Sequence, residues 1–181
     1  MTHPAPFHEI LVAAPPGRTT GLLVAGGSRL ECSLGRAGLV SVKREGDGGT
    51  PTGTFPLRAL RYRADRLTAP ETALPVAAMA EDDGWCDAPD DANYNRPVKH
   101  PYPASAEKMW REDHLYDLVV ILGQNDDPVV PGAGSAIFFH LAKETDAGLR
   151  PTEGCVALRL PDMLNVLSRC GPATKMRIEI A

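Results

Sequence analysis

Phe138-Phe139-His140-Leu141 and, beyond a polar loop, Pro151-Thr152-Glu153-Gly154-Cys155-Val156 decide how this chain is read. The first piece ends an apolar run from Ala136 to Leu141, short enough for a buried strand. A histidine closes that run, and a cysteine follows fifteen positions later, directly after a glycine. A thiol is a weak nucleophile until a base takes its proton, and imidazole is the usual base. Gly154 opens backbone conformations closed to other residues, so peptide N–H groups near it can face a developing oxyanion. The set is equipped for acyl transfer through a thioester. The plainer alternative is a buried thiol beside a core histidine, since cysteine is among the most buried residue types.

Working outward, Lys43-Arg44-Glu45-Gly46-Asp47-Gly48-Gly49-Thr50-Pro51-Thr52-Gly53-Thr54-Phe55 stands upstream, followed by Tyr94-Asn95 and by Gly134-Ser135-Ala136-Ile137-Phe138-Phe139-His140. In this order the segments resemble the L,D-transpeptidase catalytic domain family, from about Gly35 to Leu167. The resemblance implies a mainly β fold, a β-sandwich or partly open barrel with a few short helices. It makes Cys155 the residue acylated by a peptidoglycan stem peptide and His140 its base. It implies donor and acceptor stems as partners, no cofactor, carbapenem sensitivity, and work in the periplasm or cell envelope. Many members carry Ser-His-Gly-Cys, then a hydrophobic residue and Arg or Asn. Here Thr152 fits, Glu153 replaces the histidine, and Ala157 replaces the polar residue, with Arg159 two positions further on. The stretch between His140 and Thr152 is short, which marks a divergent branch.

Composition narrows the alternatives. The chain has 181 residues, 43% of them hydrophobic, enough for one core, so a single catalytic domain over residues 1–181 is expected. Lys and Arg number 19 against 23 Asp and Glu, which lacks the basic surplus of a nucleic-acid binder. A monomer is expected. Seventeen glycines and seventeen prolines favour many turns and short strands. Cys32, Cys86, Cys155 and Cys170 form no CxxC pair, and His3, His8, His100 and His114 fit no ligand spacing, so no metal is expected. No apolar run approaches membrane-spanning length. Met1 to Pro6 has no basic flank and Ile10–Ala14 is a short apolar stretch, so no secretory signal is visible.

Periodicity predicts the elements. Ile10–Ala13 reads as a strand, and Gly26-Gly27 between two apolar runs reads as the turn of a hairpin. Lys43–Thr54 reads as a loop and Phe55–Tyr62 as a strand. Residues 63–115 form a long insertion flanking the cleft, in which Ser105 caps a short helix reaching about His114. Tyr116–Leu122 and Ala136–Leu141 are strands, and Met176–Ile180 closes the chain as another. Arg159–Leu167 reads as a helix with Leu160, Met163, Leu164 and Leu167 on one face.

Around the Cys155–His140 pair, Gly154, Thr152 and Glu153 are the candidates for the oxyanion loop. Trp85, Tyr94, Asn95, Arg96 and Arg159 are the candidates for substrate contact, the arginines because a guanidinium matches a carboxylate. The alternative for Trp85, Tyr94 and Asn95 is that they pin the insertion to the sheet. Glu153, Glu144, Asp146 and the backbone near Thr152 are candidates for orienting His140. The expected reaction is attack on the carbonyl of an L-residue joined to a D-residue, then transfer to an amine of a second stem. The cross-link is 3,3 or 1,3, according to which stem bond is used. A hydrolase of the same fold or a non-enzymatic wall-binding module are the competing readings.

Overall fold

The structure, a computed structural model, describes residues 5–181; residues 1–4, with His3 and the start of the stretch read for a secretory signal, lie outside the described residues. Strand β1 (Glu9–Ala14) buries Ile10, Val12 and Ala14 at period two. A hairpin of β2 (Thr20–Ala25) and β3 (Ser28–Ser33) follows, and both turn glycines, Gly26 and Gly27, sit at positive φ as a two-residue hairpin turn requires. The short strands β4 (Leu39–Val40) and β5 (Thr50–Pro51) pair in parallel, and β6 (Gly53–Tyr62) runs on from them. Two strands therefore begin inside the stretch read as a loop.

Residues 63–115 carry β7 (Val76–Ala78), β8 (Asp83–Cys86), β9 (Pro97–Lys99) and β10 (Ala106–Lys108). Next come β11 (Leu118–Leu122), β12 (Phe138–Leu141), the small hairpin β13 (Glu144–Thr145) and β14 (Gly148–Leu149), and β15 (Val156–Leu158). Helix α1 (Leu160–Leu167) and strand β16 (Lys175–Ile180) finish the chain.

Nine strands make the main sheet in the order β11-β12-β15-β3-β2-β1-β16-β6-β7, and β6 also pairs with β11. That extra pairing bends the sheet round into a partly closed barrel, so the fold is mainly β, as expected. Its main core packs Leu23, Leu60, Leu118, Phe139, Val156, Leu158, Met163 and Leu167, each fully or almost fully buried. Each such side chain contributes roughly 1.5–3 kcal/mol on leaving water. A second cluster of Met79, Trp85, Met109, Tyr116, Val119, Phe138 and Cys155 lies where residues 63–115 meet the sheet.

The helix expected from Ser105 to about His114 is absent. β10 instead pairs antiparallel with β8, placing Glu107 opposite Trp85, and the Ser105 carbonyl accepts a bond from Asp87 N–H. Pairing with a neighbouring strand outweighs local cap chemistry here. One α-helix is present among the described residues, where the resemblance implied a few. Its buried face is also turned by one position: Met163, Val166 and Leu167 are buried, and Leu164 is 39% exposed. All four cysteines are buried and free, with Cys32 and Cys170 in the main core.

Candidate active site

Strands β12 and β15 are parallel neighbours, with Phe139 opposite Val156 and His140 opposite Ala157. A parallel pair needs a crossover, and here the crossover is the β13–β14 hairpin plus the Arg150–Gly154 loop. It returns the chain to the start of β15, so a cysteine fifteen residues beyond His140 lands beside it in space. Side chains alternate across a strand. Phe139, Leu141, Val156 and Leu158 enter the main core, and Phe138, His140 and Cys155 take the other face. His140 and Cys155 both line a cavity of about 540 Å³, at 5% and 6% exposure.

The sulfur is held from both sides. Phe138 N–H donates to Cys155 Sγ at 3.3 Å, and the thiol faces the Ala136 carbonyl at 3.3 Å. Burial pushes the thiol up to about 12, with the nearby Glu107 carboxyl adding to the rise. His140 is lowered to about 4, first by burial and then by the Arg111 charge, against a raising bond to the Leu141 carbonyl. At neutral pH the resting pair is therefore thiol and neutral imidazole. A carbonyl only accepts, so the 2.9 Å contact from His140 Nδ1 to the Leu141 carbonyl places the proton on Nδ1 and leaves Nε2 able to accept one. The imidazole is thus oriented by its own strand and by Tyr116, whose ring meets it edge-on at 5.1 Å. None of the four candidates named for that task fills it.

The loop before Cys155 is tied down by two threonine hydroxyls. Thr152 Oγ1 donates to the Cys155 carbonyl at 2.7 Å and accepts from Gly154 N–H at 3.1 Å. Thr50 Oγ1 donates to the same carbonyl at 3.3 Å and accepts from Gly35 N–H at 2.8 Å. Gly154 has φ +137°, and a Cβ there would stand 2.9 Å from the Gly49 carbonyl, so only glycine fits without a shift. Glu153 points outward to Arg36, at 2.7 Å. The Thr-Pro-Thr-Gly segment, quoted above for its resemblance, braces the loop that carries Cys155 through Thr50.

Sequence reasoning missed several side chains of the cavity wall, among them Lys43, Glu107, Tyr116, Arg111, Lys143 and Arg150. Lys43 is 7% exposed in its side chain and bonds Asp47. It threads past two glycines, since a Cβ on Gly134 would meet its chain at 2.7 Å and one on Gly154 would lie 3.5 Å from its Nζ. Glu107 accepts from the Tyr116 hydroxyl at 2.6 Å, and burial raises its carboxyl. Neither Glu107 nor Tyr116 has a local pattern to betray it, because their meeting depends on β10 folding beside the main sheet. For Lys43 the signal was the pair of glycines, legible only once the loops are adjacent.

The five substrate-contact candidates are placed differently. None of Trp85, Tyr94, Asn95, Arg96 and Arg159 lines the cavity. Asn95 Oδ1 accepts from Trp85 Nε1 at 2.9 Å and from Ala136 N–H at 3.1 Å, and its amide donates to the Gln124 and Asn125 carbonyls. Trp85 packs edge-on against Phe138. These two support the segment that holds the sulfur. Tyr94 donates to Glu45, a cavity residue that also accepts from Ser135 at 2.7 Å. Arg96 bonds the Asp126 carbonyl at 2.8 Å. Arg159 pairs with Glu31 at 2.9 Å and Glu144 at 3.0 Å, on the far side of the hairpin. Ala157 is fully buried in a cluster with Ala142 and Leu149, so its side chain lies beneath the hairpin. Among the described residues no cluster of three or more His, Cys, Asp or Glu side chains could hold a metal ion.

A partly closed β-barrel whose cleft is lined by a cysteine and a histidine is an arrangement suited to a cysteine-dependent acyl-transfer domain. The YkuD family model, described as the L,D-transpeptidase catalytic domain, matches residues 8–178, nearly the whole chain, and the chain belongs to that family. No curated protein and no solved structure matches it. The family consists of cysteine-dependent transpeptidases that act on peptidoglycan in the cell envelope. No helix among the described residues is long and apolar enough to cross a membrane.

Proposed function

We propose that this chain is a peptidoglycan L,D-transpeptidase in which Cys155 is the nucleophile and His140 the general base. The observation that carries the reading is the shared face of β12 and β15, which puts the Cys155 thiol and the His140 imidazole in one cavity with Nε2 free to take a proton. Nε2 removes the thiol proton as sulfur attacks the carbonyl of an L-residue joined to a D-residue. The C–S bond forms and the C–N bond breaks, and the leaving amine collects the proton from the imidazolium. The Cys155 N–H and the Lys43 ammonium, which lies beside Gly154, meet the negative oxygen, while the Gly154 N–H stays on Thr152 and holds the turn. An amine of a second stem then attacks the thioester, passes its proton to His140 and releases the thiol, giving a 3,3 or 1,3 cross-link.

Incubation with a carbapenem followed by intact-mass measurement tests the nucleophile. One adduct per chain is expected, and none on Cys155→Ala. Folded wild type that stays unmodified would remove Cys155 from this role. Product masses with and without a second stem then distinguish transfer to an amine from transfer to water.

A further inference from the structure

The cavity wall carries four permanent cations, Lys43, Arg111, Lys143 and Arg150. Two are already neutralised: Lys43 by Asp47, and Arg111 by a two-bond fork to Asp113 at 2.8 and 2.7 Å. Lys143 and Arg150 have no carboxylate within ion-pair distance among the described residues. They face each other across the base of the β13–β14 hairpin, where Arg150 N–H donates to the Lys143 carbonyl at 2.8 Å. The hairpin base is held in place. Leu149 is buried against Ala142 and Ala157, Ser33 bonds the Arg150 carbonyl, and Arg159 holds Glu144. Two like charges kept together on a fixed base, with no internal counter-ion, are placed for an anion that arrives with the substrate.

The position within the cavity narrows that anion. Lys143 lies three residues beyond His140, within about 10 Å along the chain. In the proposed reaction His140 returns its proton to the leaving amine, so the departing residue sits on this side. That residue is an amino acid, and its carboxyl group is one carbon from the amine. The other charged groups of the wall, Glu45, Asp87, Glu107 and Glu153, are carboxylates and would repel it.

Resting on the transpeptidase reading, we propose that Lys143 and Arg150 form a carboxylate subsite that takes the free carboxylate of the departing D-residue. Arg159, the residue whose guanidinium first suggested this task, serves instead as the outer tether of the hairpin that bears the two cations.

The test compares a stem peptide ending in a D-residue as free acid and as C-terminal amide, on wild type and on the Lys143→Gln/Arg150→Gln variant. Both positions are exposed, so the variant should fold, and its melting temperature checks this. Wild type should prefer the acid by about tenfold in kcat/KM, the equivalent of one charge-assisted hydrogen bond. The variant should lose that preference through a higher KM for the acid, with kcat and the amide parameters within about twofold. The charge-conserving Lys143→Arg/Arg150→Lys variant should keep most of it. An equal acid preference in wild type and the Gln variant overturns the subsite and leaves the transpeptidase reading standing. Wild type that takes a carbapenem adduct yet turns over neither peptide overturns both.

Discussion

Replacing Thr50 by valine tests whether the Thr-Pro-Thr-Gly segment supports the Cys155 loop through one hydroxyl. Thr50 is fully buried, and its Oγ1 both accepts from Gly35 N–H at 2.8 Å and donates to the Cys155 carbonyl at 3.3 Å. Valine keeps the shape and removes only the oxygen. The Gly35 amide is then left buried without a partner, at a cost of about 1–3 kcal/mol. The Cys155 carbonyl loses the longer of two bonds and keeps Thr152 at 2.7 Å, so that loss adds about 0.5 kcal/mol. The total of roughly 2 kcal/mol should lower the urea midpoint by about 1 M, or the melting temperature by about 4–8 °C. Thr50→Ser keeps the hydroxyl and should lose less than half as much. Carbapenem acylation should slow in the valine variant and not in the serine variant, because the carbonyl that anchors Cys155 is loosened. A valine variant as stable as wild type, or a serine variant as damaged as valine, would refute the hydrogen-bond account; the second result would assign the effect to methyl packing.

Asn95→Ala should destabilise by about 3–4 kcal/mol, since it strips bonds to Trp85, Ala136, Gln124 and Asn125 at a position with φ +55°; thermal melting measures this, and acylation should slow because Ala136 faces the sulfur. A pH dependence follows from His140, whose folded value lies below its unfolded one. The unfolded state then binds more protons between the two values, so the stabilisation is complete above about 6.5 and is lost as pH falls toward about 4. The loss amounts to roughly 3 kcal/mol and should show as a falling urea midpoint across that window, absent in His140→Gln. A midpoint that falls equally in both proteins would place the acid sensitivity elsewhere.

Much of the fold was legible from local pattern. A short apolar run marked β1, alternation marked β6 and β16, and Gly26-Gly27 marked the hairpin turn, because such patterns and positive φ are properties of a short segment. The failures share one cause. Ser105 to His114 carries a plausible helix start, yet its backbone pairs with β8, a partner that local sequence does not name. The helical stripe of α1 passes through Val166 rather than Leu164, because the neighbouring sheet decides which flank is covered. Trp85, Asn95 and Arg159 were candidates on side-chain chemistry, and their places are set by which partners lie nearest: Phe138, Ala136, and Glu31 with Glu144.

By itself the sequence carried the mainly β character and the family, through local pattern and motif identity, and it named Cys155 and His140 as the candidate pair through the resemblance. Only the tertiary structure decided that His140 is oriented by the Leu141 carbonyl, that Thr50 and Thr152 share the Cys155 carbonyl, and that Lys143 and Arg150 are the cavity cations without an internal partner. Hydrogen bonds and ion pairs reach only a few ångströms, and which groups fall within that reach depends on the register of strands far apart in the chain.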